Sequence, residues 1–298
     1  MEDARPFPAP LRLRDTVVAY PVFAASGAVD PCSDNPDWRF PLDAMRSFGA
    51  AVTKTTTLDP RSGNPQPWVE LMPGDERTLV NAVGLANPGF ESTCEQWRTM
   101  ASSLDMPIFV SIGGTADSCA HMARELGSHA FVSGIEVNLS CPNTEAAMPA
   151  SRASDSAQII SSVRAATELP IIAKLSPASD IASVAGAVAG AGADAITAIN
   201  TMPVHVRAAD GSQLLGSPVG GMSGERLHPI ALYCVAVAAR ASGIPVIGVG
   251  GVASLHAVQQ MMSCGASGVG IGTAAVLDPS FVRRLQVEAG CIPARNML

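Results

Sequence analysis

Eight short apolar segments recur along the chain, each followed by a polar or glycine-rich turn. Apolar strand segments that alternate with helices favour an α/β fold with a parallel sheet. Eight such units in a chain of about 250 residues or more are typical of a (β/α)8 TIM barrel. The strand segments are 22–26, 51–57, 107–114, 134–140, 171–177, 195–201, 245–251 and 266–273, with helices predicted over 116–126, 155–167, 180–190, 229–242 and 254–263.

The remaining segments indicate how the two ends of the barrel are covered. Residues 11–20 alternate apolar and polar side chains, which predicts an N-terminal hairpin that closes one end. The connections 58–88 and 202–223 are too long for simple loops, and both follow strands. We therefore expect these long βα-loops to lie over the C-terminal face, where such barrels carry their sites. No linker divides the chain, so we expect a single domain over 1–298, with a flexible tail at 1–10.

Composition excludes several classes of protein. A net charge of −7 argues against a nucleic-acid surface. The longest apolar stretches are strand-length or interrupted, which argues against a membrane span, and the acidic N-terminus lacks a signal-peptide pattern. Seven cysteines without a C-x-x-C pair indicate reduced thiols in a cytoplasmic protein and no metal or iron–sulfur centre of its own.

Lysine occurs at only two positions. Lys54 and Lys174 are the only lysines among 19 basic residues, and both lie near the ends of predicted strands. Because the chain uses arginine everywhere else, these two lysines indicate that a compact ammonium group serves chemistry there. The alternative is that both are ordinary solvated side chains.

Polar residues or glycines end the predicted strands. Serine and asparagine are poor strand formers in a core, so their recurrence indicates a polar pocket suited to a flat, hydrogen-bonding heterocycle. Glycines end the last two strands, where backbone N–H groups can bind a phosphate; tight helix–strand packing is the alternative. In chain order the strand-end residues are Ser26, Lys54, Ser111, Asn138, Lys174, Asn200, Gly250, Gly251, Gly272 and Thr273.

The sequence NLSCPN contains the strongest candidate for a catalytic residue. Cys141 follows a strand end and has Asn138 and Asn143 on its two sides. A free thiol has a pKa of about 8.5, so a suitably placed cysteine can accept a proton near neutral pH. Most cysteines are small core residues, but these polar neighbours favour Cys141 as a base. We expect the five histidines at helix surfaces or in packing.

Together these motifs resemble those of class 1 dihydroorotate dehydrogenases, and TKTTTL and GNP are similar to the class 1B catalytic subunit in particular. The resemblance extends in collinear order over about residues 12–285. A distinct membrane-bound class uses serine as its base, and the cysteine at position 141 argues against membership of that class. The motifs are ASG (25–27), TKTTTLDPRSGNP (53–65), NAVGLANPG (81–89), NLSCPN (138–143), AKLSP (173–177), INT (199–201), GGMSG (220–224), GVGG (248–251) and GIGT (270–273).

The resemblance implies FMN as the cofactor. Lys174 would stabilise the negative charge that develops on the flavin during reduction. Ser111 occupies a position where the family commonly has asparagine. The implied cofactor-binding residues are Ser26, Lys54, Thr55, Ser111, Asn138, Lys174, Ile199, Gly224, Gly250, Gly251, Gly272 and Thr273.

The resemblance also implies oxidation of dihydroorotate to orotate in pyrimidine biosynthesis. Hydride would pass from substrate C6 to flavin N5, while Cys141 removes the C5 proton from a loop that closes over the substrate. Lys54 is the second implied catalytic residue, because it would bridge the flavin and the substrate carboxylate. The implied substrate-binding residues are Lys54, Asn81, Val83, Gly84, Leu85, Asn138, Asn143, Asn200 and Thr201.

Several segments depart from the family's pattern. Trp68 stands where the family usually has arginine, and residues 144–155 replace a commonly glycine-rich stretch. ERLHP follows Gly224 in place of a Pro-Ala-type sequence, and 202–213 is also unusual. A second hypothesis is therefore an FMN-dependent paralogue that acts on another dihydropyrimidine-like or cyclic amide substrate in specialised metabolism. A third is a phosphate-binding barrel or scaffold subunit without redox activity.

The resemblance implies three partners. The first is the small-molecule substrate, and the second is another copy of this chain in a homodimer. The third is a separate FAD and iron–sulfur electron-transfer subunit, because the cysteine spacing gives this chain no cluster of its own. Neither a nucleic acid nor a membrane is an expected partner.

Overall fold

The computed structural model describes residues 7, 9–32, 39–140 and 152–293. Its centre is a closed barrel of eight parallel strands, which confirms the predicted (β/α)8 fold. In chain order the strands are β1 (Leu11–Leu13), β2 (Thr16–Val18), β3 (Val22–Ala24), β4 (Ala50–Val52), β5 (Val69–Met72), β6 (Asp75–Asn81), β7 (Ile108–Ile112), β8 (Gly134–Asn138), β9 (Ile171–Lys174), β10 (Ala195–Ala198), β11 (Met202–Val204), β12 (Gly220–Gly224), β13 (Val246–Val249) and β14 (Gly268–Ile271).

All eight predicted strand segments are barrel strands. Neighbours around the barrel are β3, β4, β7, β8, β9, β10, β13 and β14, with β14 pairing back to β3. Almost every residue of these strands is buried, because side chains alternate between the interior and the surrounding helices.

The helices surround the barrel. The five predicted helices are present with ends within two residues of those expected. A sixth long helix over 90–101 was not predicted, although Phe90, Cys94 and Trp97 form one buried stripe at helical spacing. The helices are α1 (Leu42–Met45), α2 (Phe90–Ala101), α3 (Ala116–Leu126), α4 (Ala153–Ala166), α5 (Ile181–Gly190), α6 (His228–Ser242), α7 (Leu255–Ser263), α8 (Thr273–Leu277) and α9 (Phe281–Glu288). Within the described ranges, none has the length and apolarity needed to span a membrane.

The predicted N-terminal hairpin closes the N-terminal end of the barrel. β1 and β2 pair antiparallel, and Leu13 and Val18 lie in one apolar cluster with Phe23 and Phe109 from the barrel strands. At the hairpin turn, Arg14 donates to the Asp194 carboxylate at 2.8 Å, immediately before β10. Within the segment predicted as a tail, the Phe7 ring is buried and lies 4.9 Å from the Tyr20 ring; residues 1–6 and 8 lie outside the described residues.

The two long connections form a separate four-stranded sheet after the C-terminal ends of β4 and β10. Its order is β11-β12-β6-β5, and all of its pairs are antiparallel. The two connections are also in close contact outside the sheet, because the Gly216 N–H donates to the Pro67 carbonyl at 2.9 Å. A methyl group added to Gly216 would lie 1.7 Å from the Pro65 carbonyl oxygen, so only glycine fits there.

Leu13→Ala tests whether the hairpin is part of the core. Leu13 is 2% exposed, and we expect its truncation to lower the free energy of unfolding by about 2–5 kcal/mol. Val17→Ala is the matched control, because Val17 is 40% exposed in the same hairpin and should change stability by about 0.5 kcal/mol or less. Thermal unfolding followed by circular dichroism compares the two, and equal midpoints would contradict the packing described.

Candidate active site

The Thr55 hydroxyl joins polar side chains from three neighbouring strand ends. Its Oγ1 lies 3.0 Å from Ser111 Oγ, 3.1 Å from Asn138 Nδ2 and 3.5 Å from Ser26 Oγ. These four residues, all predicted at the site, therefore do come together. Lys54, the residue before Thr55, is half-buried. A β-carbon added to Gly27 would lie 4.0 Å from Lys54 Cγ.

Lys174 forms a buried ion pair that the sequence analysis did not identify. Its Nζ lies 3.8 Å from Glu136 Oε1, and the two side chains are 7% and 2% exposed. The carboxylate also accepts hydrogen bonds from Ser111 at 3.2 Å and Thr197 at 3.0 Å. Lys174, Glu136 and Thr197 all line a small cavity inside the barrel.

Strand periodicity could have identified Glu136. It lies two residues before Asn138 in β8, so both side chains project into the barrel. A charged side chain in an otherwise apolar strand requires a partner, because an isolated buried charge is costly. Lys174, at the end of the next predicted strand, was a candidate partner.

Asn138 and Asn200 have amides held in defined orientations. Asn138 Oδ1 accepts from the Ser140 backbone N–H at 3.1 Å and from Asn200 Nδ2 at 3.4 Å. Asn200 Oδ1 accepts from the Thr201 N–H at 2.8 Å. The neighbouring Ile199 is buried, and its N–H donates to the Val249 carbonyl.

The residues predicted to bind a phosphate at the ends of the last two strands form a second group with Gly224, another predicted cofactor contact. We call this group the glycine cluster (Gly224, Gly250, Gly251 and Gly272, with Thr273). Gly250 and Gly251 have φ angles of +131° and +69°, in the region that favours glycine. A β-carbon on Gly251 would lie 2.9 Å from the Gly224 carbonyl oxygen. Thr273 begins α8, and its hydroxyl donates to Ser223 Oγ at 3.0 Å.

His228, one of the histidines expected at helix surfaces or in packing, begins α6 and adjoins the glycine cluster. Its Nδ1 lies 3.1 Å from the Gly250 carbonyl oxygen and its Nε2 lies 3.0 Å from Gln260 Oε1. The imidazole therefore links the turn after β13 to helices α6 and α7.

The long connections bring together the predicted substrate-binding residues Asn81 and Thr201. Asn81 Nδ2 donates to the Gly221 carbonyl at 3.0 Å. A β-carbon on Gly221 would lie 2.1 Å from Thr201 Oγ1, so both side chains lie against the same short segment of β12.

Residues 83–85 form a turn held by two asparagines. The Asn64 N–H donates to the Val83 carbonyl at 3.1 Å. Leu85 has a φ of +59°, a conformation that costs a non-glycine residue about 1–2 kcal/mol and persists only where its surroundings fix it. Its carbonyl accepts from Asn87 Nδ2 at 2.7 Å.

Asn87 makes four further hydrogen bonds and was not predicted as a site residue. Its Nδ2 donates to Thr57 Oγ1 at 2.9 Å, and its Oδ1 accepts from the Thr56 hydroxyl and from the Thr57 and Gly89 N–H groups. The side chain thus fixes the 81–89 segment against the residues that follow β4.

Two ion pairs link ERLHP, one of the segments that depart from the family pattern, to the start of β6. Arg77 lies 3.1 Å from Glu225, and Arg226 lies 2.5 Å from Asp75. The Arg77 backbone N–H and then the Arg226 guanidinium lower the pKa of Asp75 to about 2. Glu225 and Arg226 of ERLHP are therefore complementary in charge to Arg77 and Asp75 at the start of β6.

Trp68, another of these departures, makes its polar contact within its own connection. Its indole N–H donates to the Asn64 carbonyl at 2.6 Å. The indole thus contacts the same asparagine that holds the Val83 carbonyl.

Cys141 and Asn143 lie outside the described residues. Among the described cysteines, Cys94 and Cys234 are buried, and burial raises the pKa of each thiol to about 11. Neither thiol is suited to accept a proton near neutral pH. Across the described part of the chain, no group of three or more histidine, cysteine or acidic side chains is arranged to hold a metal.

A closed parallel barrel with its polar site at the carboxyl ends of the strands defines an enzyme of the (β/α)8 class. The dihydroorotate dehydrogenase family model matches residues 15–289. The chain therefore belongs to this family, whose members are FMN-dependent oxidoreductases that act on a CH–CH bond in pyrimidine biosynthesis.

Individual relatives agree with this assignment. The chain is 38% identical to the catalytic subunit of dihydroorotate dehydrogenase B (NAD(+)) from Desulforudis audaxviator, over 87% of this chain and 84% of the relative. It is 34% identical to the subunit of the same name from Geotalea daltonii, over 93% and 90%. A crystal structure of the Eimeria tenella enzyme in complex with ferulenol has a TM-score of 0.77 at 19% identity, covers 96% of this chain and 84% of its own, and supports the fold.

Asn87→Asp tests the role of the Asn87 amide. The substitution keeps the acceptor oxygen but replaces both N–H donors with an oxygen that faces the Leu85 carbonyl and Thr57 Oγ1. We expect a loss of about 1–3 kcal/mol in stability, measured as a lower thermal midpoint. Gln213→Glu, which removes a single donor to the Leu215 carbonyl, is the control and should cost less. An unchanged midpoint in Asn87→Asp would show that this amide does not hold the turn.

Proposed function

We propose that this chain binds FMN and oxidises dihydroorotate to orotate. The observation that carries the proposal is the buried Lys174, which lines one cavity with Ser26, Val249 and Gly270, on strands whose ends carry glycines of the glycine cluster. An ammonium group in this position can stabilise negative charge on a reduced flavin, and the adjacent turns can bind its phosphate.

The residues present fit FMN. A β-carbon on Gly250 or Gly251 would lie 2.7 Å from a neighbouring side chain, so these turns approach α6 as only glycine allows. Backbone N–H groups of such turns, with Thr273 at the start of α8, suit a phosphate. Ser26, Thr55, Ser111, Asn138 and Lys174 offer the donors and acceptors that a flavin ring requires. When bound, FMN supplies the acceptor for a hydride.

The substrate would occupy the space between this network and the four-stranded sheet. Lys54 would bind the substrate carboxylate, and the amides of Asn81, Asn138 and Asn200 would pair with the ring's amide groups. The backbone of Val83, Gly84 and Leu85 would complete the site, with Thr201 across from Asn81. Asn143 is the remaining proposed contact.

Cys141 would act as the base. Oxidation removes a hydride from C6 and a proton from C5, and the two remaining electrons form the C5=C6 double bond. The Cys141 thiolate takes the C5 proton and then returns it to solvent. Cys141 directly follows Ser140 in the sequence. The Ser140 N–H donates to Asn138 Oδ1, so the residue before the proposed base is hydrogen-bonded to the polar network.

We further propose a separate electron-transfer subunit as the oxidant for the reduced enzyme. The relatives are named catalytic subunits of an NAD(+)-dependent enzyme, a name that indicates a second chain in those proteins. A homodimer of the present chain is proposed from the same resemblance. A paralogue with a different substrate is not favoured, because these relatives share the dihydroorotate dehydrogenase name over most of their length.

Anaerobic mixing with dihydroorotate tests the proposed reaction. The purified protein should be yellow, and dihydroorotate should bleach its flavin absorbance with formation of one orotate per flavin. Bleaching by another cyclic amide such as dihydrouracil, but not by dihydroorotate, would support the paralogue instead. A colourless protein that takes up no added FMN would support the barrel without redox activity.

Cys141→Ala tests the proposed base. The variant should retain FMN but reduce it about two to four orders of magnitude more slowly, the range expected when a general base is lost. Cys291→Ala is the matched control, because Cys291 is exposed near the C-terminal end of the described chain. Stopped-flow absorbance measures both rates, and a near-normal rate in Cys141→Ala would exclude it as the base.

A further inference from the structure

The hydrogen bonds between Glu136 and Asn138 can run in only one direction. The Glu136 carboxylate accepts the single hydroxyl hydrogen of Ser111. Ser111 Oγ must then accept from Thr55, at 3.0 Å, and Thr55 Oγ1 in turn accepts from Asn138 Nδ2, at 3.1 Å. Each hydroxyl therefore donates toward the carboxylate, and the amide N–H group of Asn138 must face Thr55.

This direction decides which atom of Asn138 faces the rest of the site. With Nδ2 directed at Thr55, Oδ1 remains available to the Ser140 N–H and to Asn200 Nδ2. A neutral donor in place of the carboxylate would allow the hydroxyls to reverse. Asn138 would then have to turn its oxygen toward Thr55 and lose the Ser140 hydrogen bond.

Glu136 also determines the net charge beside Lys174. The carboxylate oxygen and the ammonium nitrogen are 3.8 Å apart, and both side chains are nearly inaccessible to solvent. Water screens such a pair only weakly, so each charge acts strongly on the other and on any neighbour. A group bound over Lys174 therefore meets an ion pair and not an isolated positive charge.

We propose that Glu136 is a positioning residue that orients the Asn138 amide and offsets the positive charge of Lys174. The proposal rests on the function proposed above, because Asn138 and Lys174 are two of the proposed FMN contacts. Its consequence is a lower flavin reduction potential than Lys174 alone would give, since a nearby negative charge opposes the addition of electrons.

Redox titration of the flavin-loaded protein tests this directly. Glu136→Gln keeps the shape of the side chain and removes its charge, and we expect its midpoint potential to be more positive. The expected shift is at least about tenfold in the ratio of reduced to oxidised flavin, which is about 30 mV for a two-electron couple. Glu136→Asp restores the charge and should return the potential toward that of the wild type.

Three further variants separate charge from packing. Thr197→Val removes one hydroxyl donor to Glu136 without changing any charge, so its shift should be well below that of Glu136→Gln. Lys174→Gln should shift the potential in the negative direction. Combining Glu136→Gln with Lys174→Gln should return it to within about threefold of the wild-type ratio, because the ion pair is then removed as a whole.

The outcomes distinguish this inference from the proposed function. A folded, flavin-loaded Glu136→Gln variant with the wild-type potential would overturn the inference. If that variant does not fold, the double variant is compared with Lys174→Gln, and equal potentials there would overturn it. Dithionite can reduce the flavin in every case, so failure of dihydroorotate to do so would overturn only the proposed substrate. A wild-type protein without FMN would overturn both.

Discussion

Closure of the parallel barrel is the constraint on which the rest of the structure depends. Eight parallel strands place their carboxyl ends at one rim, and the alternation of side chains sends every second residue inward. Phe23 and Phe109 fill the lower interior against the hairpin, while Ser111 and Glu136 occupy the same inward faces nearer the rim. Successive inward-facing residues of the same strands thus form first the apolar cluster against the hairpin and then the polar network.

The barrel was predictable because its strands are locally distinct. Each is a short apolar run bounded by turn residues, and burial on both faces keeps the run apolar. The strands of the second sheet have no comparable pattern. β5 is four residues long, and Glu70 and Leu71 are exposed. The β6–β12 pair joins residues about 140 positions apart, a distance at which one segment carries no information about the other.

The grouping of the candidate site residues was predictable where polar residues interrupt a strand end. It was not predictable where it depends on partners that are distant in the sequence. Ser111, Asn138 and Lys174 stand out by position alone. Glu136 lies within a strand whose other residues are typical of a buried core. Its role becomes clear only from its ion pair with Lys174 on the neighbouring strand. Asn87 resembles any loop asparagine until the chain brings it to Thr57, 30 residues away.

Three residues in the segments that depart from the family pattern, Trp68, Glu225 and Arg226, make polar contacts with the connection 58–88. Asp75 and Arg77, at the start of β6, pair with Arg226 and Glu225, and the Trp68 indole N–H donates to the Asn64 carbonyl. None of these three contacts includes a residue of the Thr55 network. The sheet above the rim therefore has polar contacts of its own, whereas the polar network is held from below by the barrel strands. This separation explains how the chain can diverge at Trp68 and 225–226 while the strand-end residues keep the family's motifs.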